Sequence, residues 1–289
     1  MSSTQQLKSR IRSVKNTRQI TKAMQMVAAS KMRRTQEATK SSQAYTAAAR
    51  ELLTYLAQQG ATDGHRWFMQ RPVRTRLLIV VASDKGLAGA YNSNVIKAYL
   101  HELHQDDQSG VASKTIAVGR KAAQVVTRVK DAEIVGTYED LPDRVPGAQF
   151  HAILNTAKDM FEDGTVDAVD VVFTRFVSSM TQRAETVRLF PAGFVADDEI
   201  SGDIREAKFE PSPKHIIDDI AYRLIGARLY QTLLDSRASE HSMRMMAMKN
   251  ATDNASDLVD DLTLEMNKER QGAITQELTE ISAGVEAMK

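Results

Sequence analysis

The chain has 289 residues, enough for one or two domains, and its 38 Lys and Arg nearly balance 37 Asp and Glu, so no global field draws it to nucleic acid or to an anionic membrane. It has no cysteine, which excludes disulfides, thiolate metal sites, thiol nucleophiles and iron–sulfur clusters on this chain. Its longest apolar run lies around Leu77 to Ala82, far short of the ~18 residues a membrane-spanning helix needs.

The breakers are unevenly spread. All six prolines fall between Pro72 and Pro213, residues 1–59 hold neither Pro nor Gly, and residues 214–289 hold only Gly226, Gly272 and Gly284. Each interior Gly costs a helix about 1 kcal/mol relative to Ala, and each Pro about 3 kcal/mol. The ends are therefore built for long helices and the middle for turns. In the N-terminal segment Leu7, Ile11 and Val14, then Ile20, Met24 and Val27, predict one helical face. Gly60 and Gly64 end that helix after some 55 residues, ~80 Å at 1.5 Å per residue.

From Arg76 the period changes. Leu77–Ala82 reads as a strand buried on both faces, and the Ser83–Gly86 turn leads into a helix over 90–103. Thr115–Val118 predicts a second strand, 120–129 a helix, Glu133–Val135 a short strand and 148–161 a further helix. Val169–Thr174 predicts another buried strand, and the alternating Thr186–Phe190 an antiparallel edge. Alternating strands and helices imply a doubly wound, Rossmann-like α/β domain.

The C-terminal segment follows Pro211 and Pro213 and should run helical for about 74 residues, ~110 Å. Its expected seam is Ile217, Ile220, Leu224, Ala227, Leu234, Ala238, His241, Met245, Met248, Ala251, Ala255, Leu258 and Leu262. Ile274, Leu278, Ile281, Val285 and Met288 close it with steps of 4 and 3. Residues 231–289 contain no Phe, Tyr or Trp, as suits a thin seam. The expected fold is thus α/β: an antiparallel coiled coil of the two terminal helices with a central α/β domain. The expected divisions are 1–60, 61–210 and 211–289. Residues 1–36 carry nine Lys and Arg and no acid, whereas 251–289 carry nine Asp and Glu against three Lys and Arg, which favours pairing of the two ends. The C-terminal helix outruns its partner, and a lone helix cannot bury its stripe. Its end is therefore expected inside a ring or cleft of other chains.

Catalytic patterns are sparse. Gly86-Leu87-Ala88-Gly89 follows a strand and opens a helix, where a phosphate loop would sit, but its spacing fits neither dinucleotide nor P-loop signatures and reads as a structural turn. This leaves as an alternative a nucleotide-binding α/β protein with coiled-coil oligomerisation arms. His101 and His104 read as solvated surface, His241 as a polar seam position, and Asp260-Asp261 as a solvated helix face. No catalytic, cofactor-binding or metal site is expected, and the chain does not read as an enzyme. The basic N-terminal segment has the composition of a transit peptide and of a nucleic-acid arm, but no aromatic interleaves its charges.

Two long stretches carry a resemblance. Residues 13–32 (SVKNTRQITKAMQMVAASKM) resemble the N-terminal signature of the F-type ATP synthase gamma subunit family. Residues 239–281 match its C-terminal signature at Ser239-Glu240-His241, Arg244–Met248, Ala251–Ala255, Leu262–Leu264, Asn267, Arg270-Gln271, Ile274–Leu278 and Glu280-Ile281. Ser83–Leu87 sits where the family has its Ser-Asp-Arg/Lys-Gly-Leu turn. The match begins near Leu7, which leaves no room for a removable transit peptide, and no cysteine-bearing redox insertion is present; the chain resembles the bacterial members.

The resemblance implies the central stalk of the F1 sector of a proton-translocating ATP synthase, a non-catalytic rotor without a cofactor. Its implied partners are three alpha and three beta subunits, the epsilon subunit and the membrane c-ring, with neither nucleic-acid binding nor direct membrane insertion. The implied location is peripheral, at the cytoplasmic face of the bacterial plasma membrane. By the same carry-over, Arg270 and Gln271 meet the beta-subunit catch loop, and Met24 and Arg244 face the beta-subunit acidic loop. Thr275 and Glu277 lie in the adjoining contact, while Ile281, Val285 and Met288 form an apolar tip. Met266 stands where the family has an aromatic and Gly272 where Ala is common, which implies a looser helix there.

Overall fold

The computed structural model of the protein describes residues 4–60, 62–129, 132–141, 147–193 and 213–287. Helix α1 spans Thr4–Gln58, and Gly60, with φ +70°, follows its end. Strand β1 is Thr75–Val81, helix α2 Tyr91–Gln108, strand β2 Ala112–Val118, helix α3 Arg120–Val126 and strand β3 Glu133–Tyr138. Helix α4 is Ala148–Glu162, strand β4 Ala168–Phe176 and strand β5 Gln182–Phe190; helix α5 runs from Pro213 to Ala287. Pro213 occupies its first position, where the missing amide proton has no helical partner to lose. Met266 and Gly272 leave α5 unbroken.

The chain divides into two compact units, one of residues 30–243 and one of 1–29 with 244–289. In the larger unit a five-stranded sheet has the order β3-β2-β1-β4-β5. β1 is parallel to β2 and β4, β2 is parallel to β3, and β5 is antiparallel to β4. Alternate residues of the central strands serve two cores, as a sheet covered on both faces requires. Leu77, Ile79 and Val81 join Phe150, Ile153, Phe161, Ile225 and Leu229, from α4 and α5. Leu78, Val80 and Ala82 join Val95, Tyr99, Ala122 and Val126, from α2 and α3. This is the doubly wound domain expected from the sequence.

A charged cluster spans the sheet. Arg76 lies 2.6 Å from Glu102, 2.9 Å from Asp106 and 2.5 Å from Asp170, and Asp170 also binds Arg188. Burial disfavours the Arg76 charge, but Asp170, Glu102 and Asp106 outweigh it and hold the guanidinium above its usual range. Burial also pushes the Glu102 carboxyl up; hydrogen bonds from Thr186 and Arg76 prevail and leave it below the usual carboxylate value.

In the smaller unit the ends of α1 and α5 pair antiparallel. Leu7, Ile11 and Val14 cluster with Val259, Leu262 and Met266, and Thr252 Oγ1 lies 2.8 Å from Thr21 Oγ1. The seam departs from the hydropathy reading in two places. Ile20 and Val27 are exposed, and Thr21 and Ala28 are buried instead. The six-residue step from Val14 to Ile20 is the cause: strict steps of 4 and 3 from Val14 pass through Arg18, Thr21, Gln25 and Ala28, polar or small residues that an apolar pattern skips. On α5, Leu258 is exposed and Val259 is inside, one position on.

Candidate functional site

Two places could carry function: the turn at the carboxyl ends of the central strands, and the exposed surfaces of the smaller unit. The turn after β1 is held by its own side chains. The Ser83 amide donates to Asn92 Oδ1 (3.1 Å), and the Ser83 hydroxyl donates to the Lys85 carbonyl (2.6 Å). Asp84 Oδ1 accepts from the amides of Arg120 (3.0 Å) and Asp140 (3.0 Å). The Asp84 carboxylate thus occupies the N-terminus of α3 and ties the ends of β1 and β3 together. A phosphate brought there would meet a negative charge already in place. Gly86 has ordinary φ and open space where a Cβ would stand, so its lack of a side chain is not needed for the turn. These contacts make the loop a structural joint.

Among the described residues, no group of three or more His, Asp or Glu is placed to hold a metal. His101 and His104 are surface residues bound to Gln105 and Gln108, whereas His241 is buried on α5. Asp260 and Asp261 are exposed, and no described helix is long and apolar enough to cross a membrane.

The smaller unit carries the family-implied contact residues. Met24 and Arg244 are half-buried, on α1 and α5 respectively. Arg270, Gln271, Thr275, Glu277 and Ile281 all fall within three turns or so of α5 and are all exposed. At 100° per residue, Arg270, Glu277 and Ile281 share a face with Ile274 and Leu278, and Gln271 and Thr275 form the adjoining flank. Thr275 Oγ1 donates to the Gln271 carbonyl one turn back (2.9 Å), and Gln276 binds Glu280 (3.0 Å). The side chain of Val285 and all of Met288 lie outside the described residues.

The exposure of this stretch is its main feature. Every residue from 270 to 284 is exposed, with Ile274 at 50%, Leu278 at 60% and Ile281 at 64%. A helix of that length is marginal in water without tertiary packing, and these apolar residues stand at seam spacing. On α1, Ile20 and Val27 share a second apolar flank and Met26 stands on another, and all three are more than half exposed. The sequence reading assigned Ile20 and Val27 to the seam and so passed over it; their one-position offset from Thr21 and Ala28 was the available signal. Lys15, Lys22 and Arg33 lie exposed on the same helix.

Comparison with known proteins agrees with this arrangement. The family model described as ATP synthase matches residues 3–288. The ATP synthase gamma chain of Ralstonia nicotianae is 37% identical over 295 residues, and that of Staphylococcus carnosus 34% identical over 289 residues; each match covers 100% of both chains. Among solved structures, a chain of the Euglena gracilis mitochondrial ATP synthase (OSCP/F1/c-ring) is similar in fold with a TM-score of 0.67 at 17% identity, covering 99% of this chain and 94% of that one. A chain from the central stalk and c-ring structure of the Tetrahymena thermophila enzyme gives 0.59 at 21% identity, covering 80% of this chain and 99% of that one. End-to-end similarity at this level, over both helical signatures and the sheet between them, is decisive: the chain belongs to the ATP synthase gamma chain family.

Proposed function

We propose that this chain is the central rotor of the F1 sector of a proton-translocating ATP synthase, coupling rotation of a membrane ring to conformational change at alpha/beta catalytic sites. The observation that carries the reading is the uncovered end of α5, exposed from 270 to 284 with Ile274, Leu278 and Ile281 at seam spacing. Enclosure by a ring of three alpha and three beta subunits supplies the burial this segment lacks. The segment differs from side to side: Arg270, Gln271, Thr275, Glu277 and the apolar stripe lie on one half of the helix, and Gly272, Ala273, Gln276, Glu280 and Ala283 on the other. Turned inside a near-threefold ring, such a rod offers each site a different surface. Differential contact is what shifts a conformational equilibrium. The chemistry belongs to the ring; the part of this chain is mechanical and calls for no cofactor or metal of its own.

In this reading Arg270 and Gln271 engage the beta catch loop, with Thr275 and Glu277 beside them. Met24 and Arg244 face the beta acidic loop, with the exposed Ile20 and Val27 on the same flank of α1 as Met24. Ile281, Val285 and Met288 form the apolar tip. The epsilon subunit and the c-ring bind the remainder, and the functional divisions are 1–60, 61–210 and 211–289. The complex sits at the cytoplasmic face of a bacterial plasma membrane, with this chain as a peripheral component. Hydrogen exchange tests the enclosure. Amides of 270–284 should exchange fast in the isolated chain and become protected when it is mixed with alpha and beta subunits. Unchanged exchange in a complex that contains the chain would refute it.

A further inference from the structure

Helix α5 is attached to the sheet of its own unit in two chemically different ways. From 221 to 233 the attachment is apolar: Ala221, Ile225, Leu229 and Leu233 lie in the core shared with β1 and β4. From 236 to 242 it changes to hydrogen bonds. Ser236, Ser239 and Ser242 recur at every third position, and none is more than 1% exposed. The Thr174 amide of β4 donates to Ser236 Oγ (3.3 Å), and the Ser239 hydroxyl donates to the Thr174 carbonyl (3.2 Å). The Ser242 hydroxyl donates to the Ser179 carbonyl in the β4–β5 turn (2.7 Å), and Gln182 Nε2 donates to Ser242 Oγ (3.3 Å). A β strand and its hairpin are thus bonded, rung by rung, to one stripe of the helix.

The two attachments resist different motions. Apolar contact is non-directional, so a helix that turns or slides over an apolar face exchanges one neighbour for another. Hydrogen bonds weaken steeply with misalignment, and a buried one that opens leaves a donor and an acceptor without water. The ladder therefore opposes rotation and shear where the apolar face opposes separation. Its position is also specific. Met243 closes the compact unit that holds the sheet, so the ladder occupies the last two turns of α5 within it.

We propose that Ser236, Ser239 and Ser242, through Thr174, Ser179 and Gln182, form the torque-bearing joint between α5 and the α/β domain. The proposal rests on the rotor reading above. Torque entering the α/β domain from a membrane ring reaches α5 through directional bonds to β4 and its hairpin, and the apolar core holds the helix against the sheet while they do so. The serines are positioning residues that touch no nucleotide.

The test uses the complete synthase reconstituted in lipid vesicles, with the triple variant Ser236→Ala, Ser239→Ala, Ser242→Ala. Loss of the ladder should make joint opening roughly a hundredfold more frequent. Proton pumping per ATP hydrolysed should then fall about three-fold or more, while ATP hydrolysis by the detached alpha–beta–gamma complex stays within about two-fold, because only the first needs torque to cross the joint. An assembled variant with unchanged pumping per ATP overturns the proposal. So does a parallel loss of both activities, which a general packing defect would give. The milder pair Gln182→Ala, Ser242→Ala removes only the outer rung and should lower the same ratio by a smaller factor; it decides the matter if the triple variant does not assemble. A wild-type chain that fails to assemble or to support pumping would instead defeat the rotor reading, a result separate from either variant's.

Discussion

Gly119 stands between β2 and α3 at the point where the carboxyl ends of three strands meet. Its backbone has φ +90° and ψ 145°, a region essentially reserved for glycine. A Cβ built there would lie 2.2 Å from the Ala82 carbonyl oxygen and 3.2 Å from the Ser83 carbonyl carbon. Both atoms are backbone, so relief requires the β1 end and the β2–α3 crossing to part by nearly an ångström. That movement would strain the Ala82 amide bond to the Val118 carbonyl (2.9 Å), the Gly119 amide bond to the Tyr138 carbonyl (2.7 Å) and the Lys121 amide bond to the Ser83 carbonyl (3.0 Å). Adding about 1–3 kcal/mol for the backbone conformation to about 1 kcal/mol for each of two or three weakened bonds gives roughly 3–6 kcal/mol for Gly119→Ala. In a unit of this size that lowers the melting temperature by about 6–24 °C. The single tryptophan, Trp67, is buried in the core of the same unit, so its fluorescence reports the melting of that unit specifically. Gly86→Ala is the control: with ordinary φ and open space it should shift the melt by less than about 3 °C. Equal melting of Gly119→Ala and Gly86→Ala would refute the reasoning.

Other consequences are as definite. Burial pushes the Asp235 carboxyl up to about 6, with Glu185 adding to the rise while Arg175 and Gln231 oppose it. A raised folded-state value favours the neutral form, so this contribution to stability is present below about pH 4 and is lost as pH rises through about 6. Partial exposure screens the cost of the ionised form to about 1–2 kcal/mol, so Asp235→Asn should raise the melting temperature by a few degrees at pH 8 and lose that advantage at pH 4; a gain independent of pH would contradict the assignment. Asp170→Ala removes the acid between Arg76 and Arg188 and should destabilise the larger unit by about 3–5 kcal/mol in chemical denaturation, because it leaves the buried Arg76 short of a counter-charge. Arg270→Ala with Gln271→Ala should lower ATP turnover of the assembled complex about ten-fold with little effect on the melting of the isolated chain, since both side chains are exposed; normal turnover after normal assembly would remove their contact role.

Much of this architecture was legible in the residues. The absence of Pro and Gly from residues 1–59, and of Pro from 214–289 with only three Gly there, announced α1 and α5, and the change from helical spacing to runs such as Leu77–Ala82 announced the sheet. Antiparallel β5 was legible from the alternation of Thr186–Phe190. The seam is harder to read where it turns polar or small: Arg18, Thr21 and Ala28 carry little apolar signal, whereas Ile20 and Val27 beside Thr21 and Ala28 carry a strong one. Glycine was misleading in a similar way. Gly86 drew attention because it lies in a glycine-rich turn, yet the structure requires glycine at Gly119, where the demand comes from Ala82, 37 residues earlier in the chain. The serine ladder was equally hidden, since Ser236, Ser239 and Ser242 become meaningful only once Thr174 and the β4–β5 turn are known to lie against them. The contact residues of α5 were read by family resemblance, and the exposure of 270–284 supplies a physical reason why that segment needs partners.

The most direct test of the central claim is to mix this chain with the alpha and beta subunits of its own organism and weigh the product by native mass spectrometry, with ATPase activity measured in parallel. The account predicts one copy of this chain with three alpha and three beta subunits, and ATP hydrolysis faster than that of alpha and beta alone. A chain that stays outside the ring in the presence of active partners, or that enters in another stoichiometry, would contradict it.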